Sequence, residues 1–169
     1  MRTLVTLSIC LFAACKHDVP APPSHEPPPM AADTTGAPGS QDLAPLARLT
    51  PVMASESSHR PAVKVPAEKL FDTLASQGIE IASKHQVLAT VAAASYCMLG
   101  VTKDTVAIAV CEYPSHDAAV AGQKLLDARY RKLVPDAVRE VNGSTLVTVA
   151  NADHHPGVRD RVFETFKSL

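Results

Sequence analysis

The chain has 169 residues with 16 Lys and Arg against 17 Asp and Glu, no Trp, 14 Pro and four Cys. A near-neutral balance with no basic block excludes the electrostatic footprint of a nucleic-acid-binding protein. The prolines are unevenly spread, which divides the chain before any element is assigned.

The first fifteen residues, MRTLVTLSICLFAAC, place a positive charge at Arg2, an apolar run from Leu4 to Phe12 and two alanines before Cys15. This is the n-region, h-region and small-residue cleavage site of a secretory signal over 1–14. The apolar run is far shorter than the ~20 residues a spanning helix needs, so removal is its expected fate.

Phe12, Ala13, Ala14 and Cys15 resemble the lipobox of bacterial lipoproteins, an aliphatic residue, a small residue, Gly or Ala, then the lipidated cysteine. The resemblance covers these fifteen residues alone. It implies cleavage before Cys15 and acylation of that cysteine, hence a partner in the membrane itself, since two or more acyl chains hold a protein stably to a bilayer. In that family an Asp after the cysteine favours inner-membrane retention. Lys16 stands there instead, which points to the outer membrane, facing the periplasm. With Cys10 lost and Cys15 acylated, Cys97 and Cys111 remain, and one even pair in an exported domain reads as a disulfide.

Residues 15–62 read as the lipidated cysteine and a disordered tether. Ten of the 14 prolines fall between Lys16 and Ala62, with Ser, Thr, Gly and Ala around them and no aromatic residue. Such a segment buries too little apolar surface to offset its ordering entropy. As a coil it spans roughly 35–40 Å, enough to hold a domain off the headgroups.

Residues 63–169 have globular composition, with equal numbers of acidic and basic side chains. Pro66, then Leu70, Phe71 and Leu74, then Gly78 outline a helix over 67–77. From Ile79 to Val91 apolar and polar residues alternate, predicting a strand with a bulge at Ser83 to His85; the Ala92 to Ala94 run allows a helix begun near His85 instead. Ser95 to Val101 and Thr105 to Tyr113 form a hairpin turning at Thr102, Lys103 and Asp104. That register puts Cys97 opposite or diagonal to Cys111, within bridging reach.

Ser115 caps a helix running to about Leu133, with Leu126, Tyr130 and Leu133 toward the sheet, and Pro135 ends it. Asn142-Gly143 predicts a type I′ turn between strands over 137–141 and 144–150. A last helix over 156–169 spaces Val158, Val162, Phe166 and Leu169 along one side. The order α-β-β-β-α-β-β-α is an α+β, two-layer sandwich: an antiparallel sheet of about five strands covered by helices on one side. The other face is left either to water or as a contact surface, where Ala107 and Ala109 beside Cys111 allow close packing.

Metal-type residues gather at Asp153, His154 and His155, with His116 and Asp117 at another helix start. Zinc needs three or four convergent ligands, and adjacent histidines point apart, so these read as helix-capping turns, with His154 and His155 only weak metal candidates. Glu112 reads as a strand-end charge. No nucleophile elbow, phosphate loop or haem motif occurs, so no catalytic residue and no cofactor is implied. The domain is expected to be a non-catalytic binding or interaction module for an envelope partner. The alternative is a periplasmic enzyme or metal-binding protein with a site near His154 and His155. An apolar sheet face would favour binding; a pocket joining those histidines to Glu112, His116 or Asp117 would favour chemistry.

Overall fold

A computed structural model describes residues 44–169, with side chains from residue 49 onward. The signal over 1–14, Cys15 and the tether up to residue 43 lie outside the described residues.

The chain forms α1 (Ala44–Ser58), α2 (Ala67–Ser76), β1 (Ile81–Val87), a 3₁₀ turn (Ala89–Ala92), β2 (Tyr96–Thr102), β3 (Ala107–Glu112), α3 (His116–Tyr130), β4 (Val138–Asn142), β5 (Thr145–Ala150) and α4 (Pro156–Ser168). The strands make one antiparallel sheet in the order β1-β2-β3-β5-β4. The α+β class and the five-stranded antiparallel sheet covered by helices are as the sequence predicts.

Alternation along β3 sorts the two faces. Ile108 and Val110 join Val147, Val149 and Tyr96 in the main core, where Leu70, Phe71 and Leu74 of α2 and Val162, Phe163 and Phe166 of α4 close over them. The phenylalanines of the last helix therefore seal the domain's own core. On the opposite face Cys97, Cys111 and Leu146 pack with Ala89 and Ala92 of the 3₁₀ turn and Ala119 of α3.

Helices thus lie on both faces, and the face expected to be bare carries α3. The reason is topological. Strands β3 and β4 each run antiparallel to β5, so they are parallel to one another, and a connection between parallel strands must cross a face of the sheet. With α2 and α4 on one side, α3 crosses on the other.

Three local readings change. Helix α1 occupies residues assigned to the tether. Its Leu46, Leu49, Val52 and Met53 recur at helical spacing despite Pro51, and its C-terminal half is pinned to the sheet edge, with Glu56 accepting from the Ala89 amide at 3.0 Å and Gln86 donating to the Met53 carbonyl at 2.8 Å. The ordered domain therefore begins before Val63. The strand expected to reach Val91 stops at Val87 and turns into 3₁₀, and its irregularity falls between Ile81 and Ser83 rather than at Ser83 to His85. At the second hairpin Asn142 stays in the ladder opposite Thr145, so the loop is Gly143-Ser144. Of these two only Gly143 has positive φ, +60°, the pattern of a type II′ turn rather than I′.

Ser115 caps α3 by accepting from the Ala118 amide at 3.2 Å. Leu133 lies beyond that helix and is 74% exposed rather than turned to the sheet. Instead, α3 approaches through Gly122: a Cβ built there would sit 2.5 Å from Tyr113 Cζ. Glycine to alanine inside a helix ordinarily stabilises by up to ~1 kcal/mol. Here the sign reverses, and Gly122→Ala is expected to cost about 1–3 kcal/mol through overpacking. Thermal unfolding checks this, and a more stable variant would refute the close approach.

Tyr113 is fully buried and donates to the Ala92 carbonyl at 3.0 Å. Burial pushes its phenol up to about 12 from an ordinary 10.0. A raised folded-state value means its contribution is fully present below pH 10 and lost as pH rises through about 12. Unfolding midpoints measured in alkaline steps should therefore fall across that interval; a flat profile would contradict the buried phenol.

Candidate functional site

The second sheet face is covered only in part. Its open portion is an apolar cleft of about 300 Å³. The floor comes from alternate residues of three interior strands: Leu99 of β2, Ala107 and Ala109 of β3, and Thr148 and Ala150 of β5. Three alanines there give the cleft its depth, because bulkier side chains at these positions would fill it. One wall is Val87, Leu88 and Val91 from the end of β1 and the 3₁₀ turn; the other is Leu126 and Tyr130 of α3 with Val134 and Ala137 beyond it. Val91 stands at the rim, 44% exposed.

No family model, curated protein or solved structure matches the chain. The cleft's chemistry must therefore be read from its own residues.

Its inner end is formed by Cys97 and Cys111, which face each other directly in the β2–β3 ladder with Cα atoms 4.2 Å apart and sulfurs at bonding distance. The sequence register placed them opposite or diagonal, and they are opposite.

The cleft has one charged lining residue, Arg139 of β4, opposite Thr148. Its side chain is only 6% exposed, with Nη1 donating to Asp127 of α3 at 2.7 Å. Its Nε–H is buried with no acceptor, the sole such side-chain atom among the described residues. Buried donors are nearly always paired, so an orphan marks a place where an acceptor is wanted. Sequence reading missed Arg139, although the alternation of Ala137, Arg139 and Val141 puts it on the cleft side.

A second polar cluster lies at the far end of the main core. Glu112, read from sequence as a strand-end charge, is fully buried. It accepts from Arg60 Nε at 2.6 Å and from the Ala67 amide at 2.8 Å. Arg60 also makes a forked pair with Glu68, Nη1 at 2.7 Å and Nη2 on the second oxygen, and its guanidinium lies 4.1 Å from the Tyr96 ring centroid. The hydrogen bonds to Glu112, then those to Glu68, hold Arg60 still more firmly protonated than usual. Its hydrogen bond draws Glu68 below the ordinary carboxylate range, and burial raises the Tyr96 phenol. The carboxylates and the guanidinium satisfy one another, so this cluster is a clamp between the segment after α1 and the sheet.

The histidine candidates lie apart from both clusters. His154 is exposed and His155 is the residue before α4, without a side-chain capping bond. His116 is exposed, its Nδ1 donating to the Gly143 carbonyl at 2.8 Å. Among the described residues no three His, Cys, Asp or Glu side chains converge as metal ligands would.

Proposed function

We propose that the protein is a lipid-anchored cell-envelope protein, held by Cys15 to the outer membrane on its periplasmic side, whose α+β domain is a non-catalytic binding module. The observation that carries the binding role is the apolar cleft: concave, walled by two elements, floored by small side chains and left open by α3. Sites for small ligands are concave and mostly apolar with a few polar groups, commonly of ~300–1,000 Å³, and this cleft lies at the lower end of that range. The anchor rests on the lipobox-like residues before Cys15, and the opposed cysteines suit an oxidising compartment.

Each half has its own test. In a bacterial host fed an alkyne-bearing fatty acid, the chain should acquire label, and Cys15→Ser should abolish it; label persisting in that variant would reject the anchor. For the cleft, an anilinonaphthalene dye that fluoresces on apolar surface should bind the exported chain, and Ala109→Leu, which fills the floor, should remove most of that signal. Equal fluorescence from both proteins would reject the cleft as the binding surface.

A further inference from the structure

The orphan donor of Arg139 and the composition of the cleft together specify an occupant. We infer that the cleft takes a single-chain fatty carboxylate, its hydrocarbon tail over Ala107, Ala109 and Leu99 and its head group paired with the Arg139 guanidinium. The inference rests on the binding-module reading and narrows it to one ligand class.

The lining excludes a peptide as the better fit. Strands β2, β3 and β5 each have a neighbour on both sides, so their backbone amides and carbonyls are engaged in the sheet. A polypeptide laid across them would bring a donor and an acceptor per residue with almost nothing to pair, at the cost of burying unsatisfied polar groups. A hydrocarbon tail needs no partner along its length and one acceptor site at its head. That is the pattern here: Arg139 is the one charged residue of the lining, and its side chain carries a buried unpaired N–H.

The partner of Arg139 does not forbid a second carboxylate. Asp127 occupies Nη1 and is itself partly exposed, while no acceptor of the protein takes the Nε–H. Arg60 shows the arrangement completed within this same molecule, one guanidinium serving both Glu68 and Glu112. A planar fork of five donors permits this, where a lysine ammonium offers no such geometry.

The test uses the chain with Cys15→Ser, exported to a periplasm and kept free of detergent, with dodecanoate and dodecanol as probes against the bound anilinonaphthalene dye. Dodecanoate should displace the dye from the parent chain with one-to-one stoichiometry. Dodecanol, which shares the tail, should be about tenfold to a hundredfold weaker, the range expected for losing a charged hydrogen bond. Arg139→Met should weaken dodecanoate by a similar factor while leaving dodecanol unchanged, and Ala109→Leu should abolish both; unfolding midpoints confirm that each variant is folded. Dye that binds the parent but not Ala109→Leu, yet is not displaced by dodecanoate, overturns the fatty-acid inference and leaves the cleft reading standing. Equal affinity for acid and alcohol, or indifference to Arg139→Met, overturns it as well. Dye that ignores Ala109→Leu overturns both.

Discussion

Replacing Arg60 by alanine is expected to lower the stability of the domain by about 3–5 kcal/mol, the cost typical of stranding one member of a buried ion pair. Glu112 is fully buried, and without Arg60 its charge would keep only the Ala67 amide as a hydrogen-bond donor. Its environment, beneath α2 and beside Tyr96, offers little solvation in exchange. For a domain of this size the loss corresponds to a fall of roughly 10–20 °C in the unfolding midpoint. Removing both partners tests the cause: Arg60→Met with Glu112→Leu should recover most of the loss, because apolar replacement of a whole buried pair is often neutral. Shortening the chain past Arg60 has the same consequence. A fragment from Val63 onward lacks Arg60 and should be as unstable as the alanine variant, whereas one from Ala44 retains the clamp and α1. The carboxylate of Glu68 gives the pH signature. Its folded-state value is lowered from 4.5 by the hydrogen bond to Arg60, so its contribution is present above that pH and lost as pH falls through the folded value. Being half-exposed, Glu68 contributes less than Glu112. An Arg60→Ala protein within about 1 kcal/mol of the parent would disprove the clamp.

Loss of the bridge between Cys97 and Cys111 is expected to cost ~3 kcal/mol, as the chain-entropy account gives for a loop of this length. The two are 14 residues apart in sequence, and bridging them limits the unfolded chain more than it alters the folded sheet. Cys97→Ala with Cys111→Ala should therefore lower the midpoint and make it insensitive to reductant, while the parent should move to the same lower value when reduced. A parent midpoint unchanged by reductant would show that the bridge contributes nothing. Because these residues close the inner end of the cleft, dye binding measured on the same variant below its midpoint reports whether the bridge also shapes the site.

Most elements of the sheet are legible because their signals are local. Ser115 as a cap, Pro66 at a helix start, the turn at Thr102 to Asp104 and the Asn142-Gly143 pair each depend on a few neighbouring residues, and four of the five strands fall within a residue or two of the ranges they predict. The cleft is partly legible for the same reason: Ala107 and Ala109 stand out as small residues on the face opposite Ile108 and Val110. What sequence reading missed depends on contacts distant along the chain. Helix α1 is concealed by proline and serine, and what holds it is the reach of Glu56 to Ala89. Arg60, one cation among polar residues, gains its meaning from Glu112, 52 residues later. Glu112 did carry a signal, since continuing the alternation of Ile108 and Val110 puts it on the buried face, and a carboxylate there demands a cation. The hairpin loop is displaced by one residue because Asn142 is retained in the ladder, where its side chain donates to the Phe166 carbonyl of α4 at 2.7 Å, a tertiary contact that no dipeptide preference encodes.

Fatty-carboxylate binding in the cleft is tested most sharply by amide chemical-shift mapping on the isotopically labelled chain, exported with its cysteines oxidised and titrated with dodecanoate. Shifts should concentrate at Leu99, Ala107, Ala109, Leu126, Tyr130 and Arg139, with α2 and α4 on the opposite face unmoved. Shifts centred on α2 and α4, or none at saturating ligand, would contradict it.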